Sequence, residues 1–76
     1  MKKSEFLIAL EDVLQMEDEL TATQDLSLLD EWDSLSKMAV MAYYKKNFGV
    51  GITLNDLKDI KTVEDLIKLA GDNIND

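Results

Sequence analysis

The chain has 76 residues, 46% of them hydrophobic, no proline, cysteine or histidine, and a formal charge of −8 at pH 7. That length makes one domain with a modest core. The missing cysteines and histidines exclude disulfides, an intrinsic thiol nucleophile and an ordinary zinc site, and the negative charge argues against nucleic acid and anionic membranes as partners.

The longest unbroken apolar run, Met38 to Tyr44, has seven residues, against about 18 for a membrane span. The opening stretch, MKKSEFLIAL, reads as a first helix rather than a signal peptide, and the expected compartment is the cytoplasm. Charge is unevenly spread: residues 1–34 carry a net −8, residues 35–50 a net +3 with no acid at all, and residues 51–76 a net −3. The middle segment is a basic island, made by Lys37, Lys45 and Lys46, in an acidic protein.

Ser4 is the expected N-cap of a first helix running to about Met16, with Phe6, Leu7, Leu10, Val13 and Leu14 on one face. The stretch EDELTATQDLSLLDEW (residues 17–32) breaks that period. It reads as a long loop, with room for one helical turn, held to the core by some of its leucines. Loops of this length in small domains are often functional. A second helix is expected from Asp33 or Ser34 to Phe48, stopped by Gly49. It carries two apolar stripes. Val40, Met41, Tyr44 and Phe48 form the first; Leu35, Met38, Ala39 and Ala42 form the second, which is either buried as well or a docking face for partners.

Thr53 with Asp56 predicts a short third helix around Leu57, and Thr62 with Asp65 predicts a fourth helix through Leu66, Ile67 and Leu69, with Gly71 as its stop. Residues 72–76 are expected to fray. The fold class is therefore all-α: a single domain over residues 1–76, a four-helix bundle with a long first loop and a short third helix.

Ser34 is the residue this layout singles out, because it sits at the mouth of the second helix directly after the long loop. A serine nucleophile needs a base, a lysine or a metal to become reactive, and no histidine is present to help it. Asp33 and Ser34 as an isolated pair would read as helix-capping residues.

The pattern resembles the acyl carrier protein family. The matching residues are DSL at Asp33–Leu35, FGVGI at Phe48–Ile52 and DIKTVEDLI at Asp59–Ile67, at spacings that fit the family without a gap. The resemblance implies an acyl-carrier-like four-helix fold and no catalytic residue. It implies that Ser34 receives 4'-phosphopantetheine from coenzyme A by a separate phosphopantetheinyl transferase, with Asp33 contacting that transferase. The missing cysteines and histidines leave no metal site expected in the chain. Acyl intermediates would then be carried as thioesters between an acyl-loading ligase or acyltransferase and downstream synthase or transferase enzymes, by a monomer.

Two features depart from the fatty-acid carriers. Their second helix is typically acidic, whereas the matching positions here are Ser36, Ala39, Lys45 and Lys46, with Lys37 adding a further positive charge. Glu31 and Trp32 also stand where glycine and a small residue are usual. Trp32 either packs the loop or borders the arm, and the lysines are either a solvated face or part of the docking surface. With Trp32, Leu35, Ser36, Lys37, Met38, Ala39, Ala42, Lys45 and Lys46 taken as that surface, the expectation is a carrier for a specialised pathway. The alternatives are a housekeeping carrier of fatty-acid synthesis and a helical interaction domain that is never modified.

Overall fold

The computed structural model describes residues 1–75. Four helices stand in the expected order: α1 (Lys3–Leu14), α2 (Ser34–Phe48), α3 (Leu54–Lys58) and α4 (Val63–Leu69), with 3-10 turns at Leu26–Leu28 and Gly71–Asn73. Among the described residues no strand forms, so the all-α class and the four-helix layout with a long first loop and a short third helix hold.

Phe6, Leu10 and Leu14 recur every four residues and so stack on one face of α1, where all three are buried. They meet Val40 and Tyr44 from the buried face of α2. Aromatic edges organise that contact: Tyr44 stands edge-on to Phe6 at 6.0 Å between ring centroids and to Phe48 at 5.1 Å. Leu57 of α3 and Val63, Leu66 and Ile67 of α4 close the core from the other side. The Tyr44 hydroxyl donates to the Leu66 carbonyl, a buried acceptor near the end of a short helix, where carbonyls lack partners inside the helix.

The long loop is ordered by pairing rather than by helix. Leu26 N–H donates to the Lys61 carbonyl at 2.8 Å, Val63 N–H to Gln24 at 3.1 Å and Glu64 N–H to Ala22 at 2.8 Å. Leu20 and Leu26 sink into the core beside this seam, while Leu28 stays exposed. The helical turn expected in the loop is the 3-10 turn, capped by Asp25.

The sequence places the end of α2 correctly, because Gly49 adopts φ 67°, a left-handed conformation that glycine takes without steric cost. Thr53 with Asp56 and Thr62 with Asp65 cap α3 and α4 as expected. Other ends differ. Ser4 is not the N-cap of α1: Lys2 is, and its backbone N–H donates to the Glu5 carboxylate at 2.8 Å. Lys2 is held extended by a bridge to Asn75, so Ser4 already lies within the first helical turn. The same helix stops at Leu14 rather than near Met16, with Gln15 left-handed at φ 57°.

The expectation of a frayed tail over residues 72–76 also fails for its described part. Ile74 is buried, the Met1 ammonium donates to the Asn73 carbonyl at 3.0 Å, and Asn75 N–H donates to Met1 at 2.8 Å. One buried isoleucine and two backbone contacts hold a segment whose composition carries no periodic signal. Asp76 lies outside the described residues.

The Tyr44 hydroxyl provides a test of this packing. Tyr44→Phe keeps the ring but leaves the Leu66 carbonyl without that donor, and is expected to lower stability by about 1–3 kcal/mol. Urea denaturation should show a lower midpoint with an unchanged slope.

Candidate functional site at the start of the second helix

α2 begins at Ser34 because Asp33 breaks the chain into an extended conformation and then caps the helix. The Asp33 carboxylate accepts the Ser36 backbone N–H at 2.9 Å, and the Ser36 hydroxyl accepts the Asp33 N–H at 2.9 Å. This reciprocal box satisfies two backbone donors at once. It engages Asp33 and Ser36 and leaves Ser34, the first helical residue, exposed to solvent. Hydrogen bonding to the ionised form holds the Asp33 carboxyl below the usual carboxylate range, chiefly through the Ser36 backbone N–H.

The long loop delivers Ser34 to that position. Trp32 N–H donates to the Leu29 carbonyl at 3.1 Å, closing a turn just before the cap. Trp32 is half-buried and packs against the core, as its packing reading predicts. Lys37, one turn into α2, lays its Nζ 5.6 Å from the centre of the Trp32 ring, within cation–π range.

α2 is buried on one face only. Val40 and Tyr44 are buried and Met41 and Phe48 partly so, whereas Leu35 is 78% and Met38 60% exposed, with Ala39 and Ala42 exposed beside them. The burial reading of the second stripe is thereby corrected: α1, α3 and α4 cover one side of α2, and among the described residues no further helix covers the other. Lys45 and Lys46 are exposed near its C-terminal end, while Ser36 and Lys37 are half-buried. The residues singled out in the sequence thus fall into two groups, Trp32, Asp33, Ser36 and Lys37 around Ser34, and the exposed Leu35, Met38, Ala39, Ala42, Lys45 and Lys46 along α2.

A cleft of about 470 Å³ opens next to Ser34, between the end of α1 and the start of α2. Val13, Leu14, Leu35 and Ala39 supply apolar lining, and Asp30, Glu31 and Asp33 supply carboxylates. The sequence reading misses this cleft, since Gln15 and Asp30, distant in the chain, share it only through the fold. It also misses the Trp32–Lys37 stack, because Trp32 lies in a loop where helical spacing says nothing. Among the described residues no group of acidic side chains is arranged to hold a metal ion, and no helix is long and apolar enough to cross a membrane.

The family model described as "Phosphopantetheine attachment site" matches residues 5–70 of the chain. No curated protein and no solved structure matches it.

The Asp33 cap has a pH signature. Its folded pKa lies below the unfolded value of about 3.9, so its contribution to stability is complete above that value and is lost as pH falls through the folded pKa. The Asp33 side-chain carboxyl carbon, followed by NMR, should titrate with a midpoint below the ordinary aspartate value. The Ser36 amide should shift with the same midpoint, and a midpoint at or above the ordinary value would contradict the cap.

Proposed function

The chain belongs to the phosphopantetheine attachment family, whose members are non-catalytic carriers bearing covalent 4'-phosphopantetheine, and from that premise we propose that Ser34 is the attachment residue and that the carrier serves a specialised pathway. The observation that carries the first part is the exposure of Ser34 at the start of α2, where the neighbouring Asp33–Ser36 box leaves it out of the capping contacts. The residues present fit the group: an accessible hydroxyl at the positive end of a 15-residue helix suits a phosphodiester, and the first turn of that helix holds no acidic residue.

Each side chain then has a role. Ser34 is the acceptor hydroxyl, and the modifying transferase supplies the base and the metal. Asp33 orients Ser34 by capping α2 and faces the transferase. The bound group supplies a thiol on which acyl chains are held as thioesters, and a chain without cysteine has no thiol to compete with it. Tethering raises the effective concentration of cargo at a docked enzyme to the order of millimolar. Partners therefore include a phosphopantetheinyl transferase and acyl-handling enzymes in general.

The exposed side of α2, Leu35, Met38, Ala39 and Ala42 followed by Lys45 and Lys46, is the proposed docking face, with Ser36, Lys37 and Trp32 at its start. Its charge favours a dedicated partner over the fatty-acid synthase enzymes, because residues 35–50 contain three lysines and no acid. A basic patch built for an acidic helix meets like charge here, which slows encounter and weakens docking. A cytoplasmic monomer acting as one carrier domain belongs to the same proposal. Housekeeping fatty-acid synthesis is the second reading, which the bare acyl-carrier resemblance leaves open.

Two experiments test these proposals. Intact mass before and after incubation with coenzyme A and a broad-specificity phosphopantetheinyl transferase should rise by one phosphopantetheine, and Ser34→Ala should show no rise while keeping its helical spectrum. An equal rise in Ser34→Ala would move the attachment point elsewhere. For the docking face, elongation of the acyl-loaded carrier by a fatty-acid synthase should be poor, and the Lys45→Glu, Lys46→Glu double variant should raise kcat/KM about tenfold. No rise would clear the lysines of blame, and efficient elongation of the wild type would remove the specialised reading.

A further inference from the structure

The two flanks of the first turn of α2 carry opposite charge. One opens on the cleft, whose lining includes the acidic residues Asp30 and Glu31 together with the capping Asp33. The other carries Lys37, drawn back over Trp32. Among the described residues the ion pair within 4.0 Å joins Lys3 to Glu64 at 3.7 Å, and none involves Lys37. Lys37 is therefore a half-buried residue whose ammonium lies over an aromatic ring, with no ion pair within 4.0 Å among the described residues.

Helix geometry decides which flank Ser34 shares. Residues three apart are neighbours on a helix surface, with Cβ atoms about 5–6 Å apart. At 100° per residue, Lys37 lies about 60° round α2 from Ser34, and the cleft-lining Leu35 and Ala39 lie about 100° and 140° away on the opposite side. A phosphodiester on the Ser34 oxygen carries one negative charge at neutral pH. It is repelled by the carboxylates of the cleft and attracted by the ammonium of Lys37. A lysine ammonium has three N–H donors, so contact with the Trp32 ring leaves donors for a phosphate oxygen. Because the stack already limits the lysine rotamers, less side-chain entropy is lost when that contact forms.

We propose that Trp32 and Lys37 form a clasp for the phosphodiester at Ser34, which directs the first atoms of the arm to the Lys37 flank of α2 and away from the carboxylate-lined cleft. The clasp rests on Ser34 being the attachment residue. Lys37 and Trp32 act as positioning residues: neither touches the acyl group, and their effect is on where the arm leaves the protein.

The test uses the full chain loaded with phosphopantetheine and checked by intact mass. In the wild type the phosphorus-31 resonance should be displaced from its position in Lys37→Gln, and the displacement should vanish at about 1 M salt, where the Debye length is about 3 Å. Lys37→Arg should retain the displacement. Loading should also shift the Trp32 indole proton in the wild type and not in Lys37→Gln. A lysine that served only the packing of Trp32 would move the indole signal without a salt-dependent phosphorus shift, which would overturn the clasp. So would identical phosphorus resonances in wild type and Lys37→Gln, or a displacement lost in Lys37→Arg as well. A mass gain with any of these results leaves Ser34 as the attachment residue; no gain at Ser34 removes the attachment reading and the clasp together.

Discussion

The seam between the long first loop and the start of α4 is the constraint on which the rest of the structure depends. Residues 15–33 contain only one 3-10 turn, and a chain of this size has little core with which to hold such a length of irregular backbone. Three backbone hydrogen bonds, from Leu26 to Lys61, Val63 to Gln24 and Glu64 to Ala22, tie the loop to the N-terminus of α4. The α4 amides of Val63 and Glu64, which have no partners inside a helix, are satisfied by loop carbonyls. Burial of Leu20 and Leu26 beside the seam anchors it. With the loop fixed at that point, its remaining residues run to a defined place, and Ser34 emerges at the surface rather than on a mobile strap.

A second consequence is the one-sidedness of α2. Three helices of 12, 5 and 7 residues around a small core can cover only part of a 15-residue helix. The face turned to Phe6, Leu10 and Leu57 is filled by Val40 and Tyr44, and the opposite face keeps Leu35 and Met38 in solvent. Large apolar side chains exposed beside the proposed attachment serine suit a carrier, whose cargo reaches other proteins only while they are docked. The charge layout sharpens this: an acidic body with a basic second helix presents one face unlike all others.

How much of this was legible in the sequence differs from element to element. The α2, α3 and α4 boundaries could be read because each rests on a local rule: Asp33, Thr53 and Thr62 as caps and Gly49 as the left-handed stop. The acyl-carrier resemblance rested on the blocks that hold Asp33, Gly49 and Thr62. The ends of α1 could not be read. Lys2 became the N-cap only because Asn75 pairs with it, and Gln15 took a left-handed conformation with no glycine to announce it. The tail was misread for the same reason, since Ile74 finds its pocket among residues far away in the chain.

At the site, the sequence by itself determined the family resemblance, the Asp33 cap of α2 and the sign of charge along that helix, because these are properties of residue type and local spacing. Only the tertiary structure decided which α2 stripe is covered, that Asp30 and Glu31 share a cleft with Val13 and Leu14, and that Lys37 rests on Trp32. The physical reason is one of range. Caps, turns and helical periods act over four residues, whereas exposure, clefts and cation–π contacts depend on how separate segments pack, and two apolar stripes of equal quality are distinguished only by what the rest of the chain has left to bury them.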